Sequence, residues 1–259
     1  MRRHNRNSYL IIDGYNIINA WDNLKEISKD DLEGAREKLI HYIIEYAQYT
    51  GKKAIIVFDA YNVKNSKEKI EERRLLKARN ESFVGAPPFE VDLLDVNEYS
   101  RPGTPLEKVK GIVVHYTANP GTTAKNNRDY FQGLKDSHET KASSHFVVGI
   151  EGEIVQCIPS SEIAYASNSR NEDTLSIECC HVDESGAFTD ATYISLVRLT
   201  GWLCYRFNLT SEDVIRHYDV TGKNCPKYYV EHPDKWQEFK KDVDKQIQEV
   251  EKEAKAEGK

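Results

Sequence analysis

Gly111-Ile112-Val113-Val114-His115-Tyr116-Thr117 is an apolar run that ends in an imidazole. It reads as a strand, and a histidine at the end of a strand can project into a cleft. From Leu106 onward the neighbouring patterns read as one compact α/β domain. A helix is expected from about Thr123 to Leu134. Strands are expected over His145–Ile150 and Glu153–Ile158, separated by the hairpin signal Glu151-Gly152. Leu175–Cys180 is a further strand. Tyr193, Leu196, Val197, Thr200, Leu203, Cys204 and Phe207 stripe a helix whose expected cap is Thr189. A closing helix starts near Pro233, with Trp236, Phe239 and Val243 on its apolar face. No internal repeat is visible.

Upstream, residues 8–65 read as a strand-helix-strand unit. Tyr9-Leu10-Ile11-Ile12-Asp13 and Ala54-Ile55-Ile56-Val57-Phe58-Asp59 are apolar runs ending in carboxylates. Leu32, Ala35, Leu39, Ile43 and Ala47 recur between them at helical spacing. Such strands joined by a helix suggest a parallel pair, which would bring Asp13 and Asp59 together at its carboxyl edge. Residues 64–80 are dense in charge and read as a solvated helix. Residues 81–105 contain Pro87-Pro88, Pro102 and Pro105 and read as a linker, although Phe89, Val91, Leu93 and Leu94 could lie on a neighbouring surface. The expected division is a small βαβ unit over 1–80, a linker over 81–105, the main domain over 106–245 and a charged, fraying tail over 246–259.

Composition limits the alternatives. The chain has 259 residues and a formal net charge of -6, so no global basic field draws it to nucleic acid or anionic lipid. No apolar run approaches the roughly 20 residues that span a bilayer. The basic start leads into an apolar run broken at Asp13, so no secretion signal is visible and synthesis in the cytoplasm is expected. The five cysteines cluster late in a long chain, which argues against a disulfide framework. Oligomeric state leaves no sign in the sequence.

The chemistry gathers on Ile215-Arg216-His217-Tyr218-Asp219-Val220-Thr221-Gly222-Lys223-Asn224-Cys225-Pro226. This segment sets an imidazole and a thiol eight residues apart around a glycine turn. A lone histidine more simply satisfies a hydrogen bond. His115, His217 and Cys225 together, beside a lysine and a carboxylate, instead suggest three zinc ligands with a fourth position open. A copper electron-transfer site usually adds an axial methionine, and Met1 is the only methionine. Glu178, on its strand, is the candidate general base and acid; Glu184 and Glu172 are rivals in loops. Lys223 is the candidate oxyanion stabiliser. Ser167, Asn168, Arg170 and Asn171 form a polar loop before the Glu178 strand. Ser167 and Asn168 are candidates for substrate binding, with His145 as a further candidate lining the cleft. These residues alone define a zinc hydrolase.

Longer motifs carry a resemblance. Gly111–Tyr116, Ser143-Ser144-His145-Phe146-Val147-Val148, Ala164-Tyr165-Ala166-Ser167-Asn168, Ser176-Ile177-Glu178 and His217–Pro226 are similar to the zinc-dependent N-acetylmuramoyl-L-alanine amidases, relatives of peptidoglycan-recognition proteins. The resemblance covers about Val91 to Val243. It implies zinc on His115, His217 and Cys225, with Glu178 and Lys223 as catalytic partners. It also implies a central, mostly parallel mixed sheet flanked by helices, and peptidoglycan or muropeptide as substrate. The bond cut would join N-acetylmuramic acid to L-alanine, in wall degradation or recycling. A non-catalytic peptidoglycan-recognition module is the alternative. Asp13-Gly14-Tyr15-Asn16-Ile17-Ile18 with Val57-Phe58-Asp59-Ala60 resembles the opening half of a YacP-like NYN ribonuclease domain. That family is implied to hold a divalent metal with a cluster of acids for RNA cleavage, and Asp13, Asn16 and Asp59 match its early motifs. An RNA-processing role through this unit is the third reading, and the fold expected overall is α/β with a small βαβ fragment in front.

Overall fold

The computed structural model describes residues 9–50, 53–58 and 83–256. The chain divides into two compact units, Met1–Glu81 and Ser82–Lys259.

In the first unit β1 (Tyr9–Asp13) pairs in parallel with β2 (Lys53–Val57), with Asp13 opposite Val57. Between them lie α1 (Gly14–Ala20), α2 (Asp22–Asp30) and α3 (Leu32–Thr50), where the sequence showed only the last. Ile12, Ile18, Leu24, Ala35, Leu39 and Ile43 form its core. Asp13 acts as the N-cap of α1: one carboxylate oxygen accepts from the Asn16 backbone N–H at 3.1 Å and the other from its side-chain amide at 2.7 Å. Asp59 and the expected helix over 64–80 lie outside the described residues.

The second unit is built on a six-stranded sheet in the order β3-β6-β5-β7-β4-β8. Its strands are β3 (Glu90–Val91), β4 (Gly111–Tyr116), β5 (Phe146–Val148), β6 (Ile154–Gln156), β7 (Thr174–Cys179) and β8 (Val214–Arg216). Only the β5–β6 hairpin is antiparallel. Period-two alternation splits the apolar side chains between two cores. Ile112, Val114, Phe146, Val148, Leu175 and Ile177 meet α5 (Asp190–Phe207) and α8 (Pro233–Ala256) through Leu196, Trp202, Trp236 and Phe239. On the other face, Val147 and Val155 meet α4 (Ala124–Ser137) through Phe131 and Leu134. The two short helices α6 (His217–Thr221) and α7 (Lys227–Glu231) follow β8. Thr189 caps α5 as expected, accepting from the Thr192 N–H at 3.0 Å.

Two boundaries differ from expectation. Of the stretch read as a linker over 81–105, the described residues 83–105 are part of this unit. Val91 pairs with Gln156 on the sheet edge, and Leu94 donates its N–H to the Cys157 carbonyl at 2.9 Å and is 1% exposed. Phe83 stacks on Trp202, and Phe89 packs edge-on against Phe146. Proline denies this stretch a helix but leaves it free to run extended along an edge. The Arg128 side chain donates to the carbonyls of Asp92 and Leu93, so this helix residue holds the edge segment in place. The charged tail likewise continues α8 to Ala256, with Val250 and Ala254 buried. Gly201 permits that close crossing, because a Cβ there would lie 2.5 Å from Gln246 Cγ.

These contacts predict that removing residues 1–81 leaves cooperative thermal unfolding of the remainder intact, whereas removing 1–105 abolishes it. A cooperative melt from the shorter fragment would show the edge segment to be dispensable. Within that segment Arg101 forms a two-pronged ion pair with Glu162 at 2.7 and 2.8 Å, and also donates to the Leu94 carbonyl. Glu162 is 8% exposed at its side chain. Arg101→Ala strands this carboxylate and should cost about 3 kcal/mol, the low end of the range for breaking a buried pair. Urea midpoints measure it; a loss below about 1 kcal/mol, the range of solvated surface pairs, would mean that water replaces the guanidinium.

Candidate metal centre

Parallel sheets present their ligand-binding groups at the carboxyl ends of the strands, and the candidate residues converge there. His115 on β4 is the direct ladder partner of Glu178 on β7, so the two side chains rise side by side from one face. β4 also pairs with β8, and β8 runs directly into α6, whose first residue is His217. Asp219 fixes this start by accepting from the Arg216 N–H at 2.8 Å and pairing with its guanidinium at 2.7 Å. Gly222 then turns the chain with φ 77°, a conformation glycine takes at no steric cost. The return brings the Cys225 carbonyl to the Tyr218 N–H at 2.8 Å and the thiol back toward β4.

His115, His217 and Cys225 therefore meet. One possible ligand atom from each lies within 4.8 Å of the others, and among the described residues no other group of three such donors does so. His115 Nδ1 lies 3.9 Å from Cys225 Sγ and 3.9 Å from Glu178 Oε1. The two imidazole centres are 4.6 Å apart. All three donors are buried. Glu178 Oε2 is also buried and has no hydrogen-bond partner among the described residues. Lys223 is exposed at the rim, on the turn between α6 and Cys225.

Burial sets the protonation of the cluster. It holds His115 well below the ordinary imidazole range, helped by His217 and Lys223, and it lowers His217 with further help from Lys223. Both rings are thus neutral near pH 7 and keep a lone pair for a metal. Burial pushes the Cys225 thiol up to about 12, with Glu178 adding to the rise; the Tyr116 backbone N–H and Lys223 oppose it. Such a thiol gives up its proton when a cation takes its place. Glu178 is raised to about 8, again by burial, against the pull of Lys223. Two neutral imidazoles, one thiol and an unpartnered carboxylate oxygen fit a divalent metal with a solvent-accepting side.

The remaining candidates go elsewhere. His145 does not line the cleft: it is 1% exposed, accepts from the Ser176 N–H at 3.0 Å through Nδ1 and donates to the Glu162 carbonyl at 2.8 Å through Nε2. It is a core histidine, pushed down to about 4 by burial. Ser167 is likewise buried, and its Oγ sits 3.1 Å from His115 Nε2. Asn168 Oδ1 lies 2.9 Å from His217 Nε2. Both therefore face the two histidines of the candidate centre. Arg170 pairs with Asp173 at 2.6 Å. The Tyr116 N–H directed at Cys225 was not found from sequence, because a backbone donor leaves no residue-type signal.

A mostly parallel α/β sheet with a two-imidazole, one-thiol centre at its carboxyl edge defines the class of domain. Comparison narrows it: residues 105–228 match the family model described as N-acetylmuramoyl-L-alanine amidase. Residues 10–77 match the YacP-like NYN domain. The N-acetylmuramoyl-L-alanine amidase CwlL of Bacillus licheniformis is 38% identical over 166 residues, 59% of this chain and 46% of that protein. The chain thus spans about half the length of the curated amidases it matches. The uncharacterized protein YacP of Bacillus subtilis (strain 168) is 44% identical over 66 residues, 26% of this chain and 39% of that protein. Among solved structures, the catalytic domain of XlyA superposes with a TM-score of 0.53 at 25% identity, covering 61% of this chain and 99% of that one. A mutant endolysin from Bacillus subtilis gives 0.52 at 27% identity, covering 60% and 98%.

Proposed function

We propose that the second unit is a zinc hydrolase that cuts the amide between N-acetylmuramic acid and L-alanine in peptidoglycan. The observation that carries the reading is the meeting of His115, His217 and Cys225 beside a buried carboxylate whose second oxygen is unpartnered. The names of the amidase relatives supply the substrate class. Zinc held by the three donors would supply Lewis-acid activation of water and of the scissile carbonyl.

The chain's own groups do the rest. Glu178 in its ionised form can accept a proton from the attacking water and return it to the leaving amine; burial raises its pKa to about 8, which favours the proton-holding state between the two steps. Its ladder pairing with His115 sets where that proton is held. Lys223 places a positive charge at the rim, opposing the negative charge that develops on the carbonyl oxygen. A module that merely gripped muropeptide would have no use for a buried, unpartnered carboxylate, whose desolvation is costly. In the first unit Asp13 caps α1, and among the described residues no group of three metal-holding donors forms there; Asp59 lies outside those residues.

The test is incubation of the purified chain with soluble muropeptides, with and without chelator, read by mass spectrometry. Separated glycan and peptide are expected, lost on chelation and restored by zinc. Intact muropeptide in the presence of zinc-loaded protein would sink the reading.

A further inference from the structure

We infer that Asn168 selects which ring nitrogen His217 turns toward the metal, and that Ser167 holds the matching orientation of the His115 ring. This inference rests on the metal centre proposed above. Neutral imidazole carries one N–H and one lone pair, and the partner of one nitrogen decides the state of the other. Asn168 meets His217 Nε2 with its amide oxygen at 2.9 Å. A carbonyl oxygen can only accept, so Nε2 must carry the proton and Nδ1 must keep the lone pair. Ser167 Oγ sits 3.1 Å from His115 Nε2, while His115 Nδ1 is the nitrogen that faces Cys225 and Glu178. Both rings are therefore arranged to ligate through Nδ1.

The loop is built to present these two oxygens. Asn171 Oδ1 accepts from the N–H groups of Ala166 at 3.1 Å and Ser167 at 2.6 Å. The Arg170 N–H returns to the Ser167 carbonyl at 3.0 Å. Asn168 itself takes φ 52°, a left-handed conformation uncommon for residues other than glycine. That conformation is what aims its amide at His217. Ser167 and Asn168 are thus positioning residues, acting on the metal through the two imidazoles.

The test uses the full chain carrying Asn168→Gly, Asn168→Asp or Ser167→Ala. Glycine removes the amide yet accepts φ 52°, and aspartate restores an acceptor. Zinc affinity is read by competition with a chromogenic chelator, and ring coordination by ¹⁵N chemical shifts of the histidines. Asn168→Gly should bind zinc about 10–100-fold more weakly, the usual cost of losing an outer partner of a ligand. Asn168→Asp should recover wild-type affinity, and the wild-type spectrum should show both rings bound through Nδ1. Melting of the metal-free variants should not change, as it would if the loop merely supported the fold. Coordination through Nε2, or an Asn168→Gly affinity within twofold of wild type, would overturn the inference. Wild-type protein that binds no zinc would instead refute the centre itself.

Discussion

Cys225→Ala protein is expected to come off the column without stoichiometric zinc and to leave muropeptides uncut. The sulfur is one of three donors and the only anionic one once metal is bound, so its loss removes both a bond and a charge. Affinity should fall by more than about 100-fold, beyond the cost of losing an outer-shell partner. The fold should survive. Cys225 is buried as a small side chain, and the turn that carries it is held by backbone bonds from Tyr218 and Gly222. Metal analysis and a thermal melt on the same sample separate the two effects. Full zinc content in a folded alanine variant would remove the thiol from the ligand set.

The second large effect is expected at Glu178. Glu178→Gln keeps the side chain's shape but cannot accept the proton of the attacking water. Turnover should drop by about 10²–10⁴-fold, the usual contribution of a positioned acid-base group. Zinc content and melting temperature should stay near wild type, because His115, His217 and Cys225 are untouched. A glutamine variant that digests muropeptides at the wild-type rate would assign the proton transfer elsewhere.

The three residues that converge could be picked out because each sits where pattern and chemistry coincide. His115 ends an apolar strand, and His217 and Cys225 flank a glycine turn. Glu178 stood out for a similar reason, as the one charged residue in its strand. Direction was not legible. Ser167, Asn168 and His145 are polar residues near the site, but sequence does not show which way a loop side chain turns. His145 turned inward because Ser176 and the Glu162 carbonyl give both its nitrogens partners in the core. The edge segment over 81–105 was obscured by its prolines, which signal the absence of a helix more strongly than Phe83, Phe89 and Leu94 signal packing. In the tail, charge density hid Val250 and Ala254, four residues apart on the buried side of α8. The extra helices α1 and α2 were missed in a stretch rich in asparagine and aspartate, residues whose local bonds favour caps and turns.

Because His115 and Glu178 face each other across a hydrogen-bonded ladder, their spacing belongs to the sheet itself. Loops elsewhere around the site can lengthen, shorten or change composition without altering how far His115 stands from the Glu178 carboxylate. In the proposed amidase, substrate preference is therefore free to drift with those loops while the distance between His115 and the carboxylate is kept.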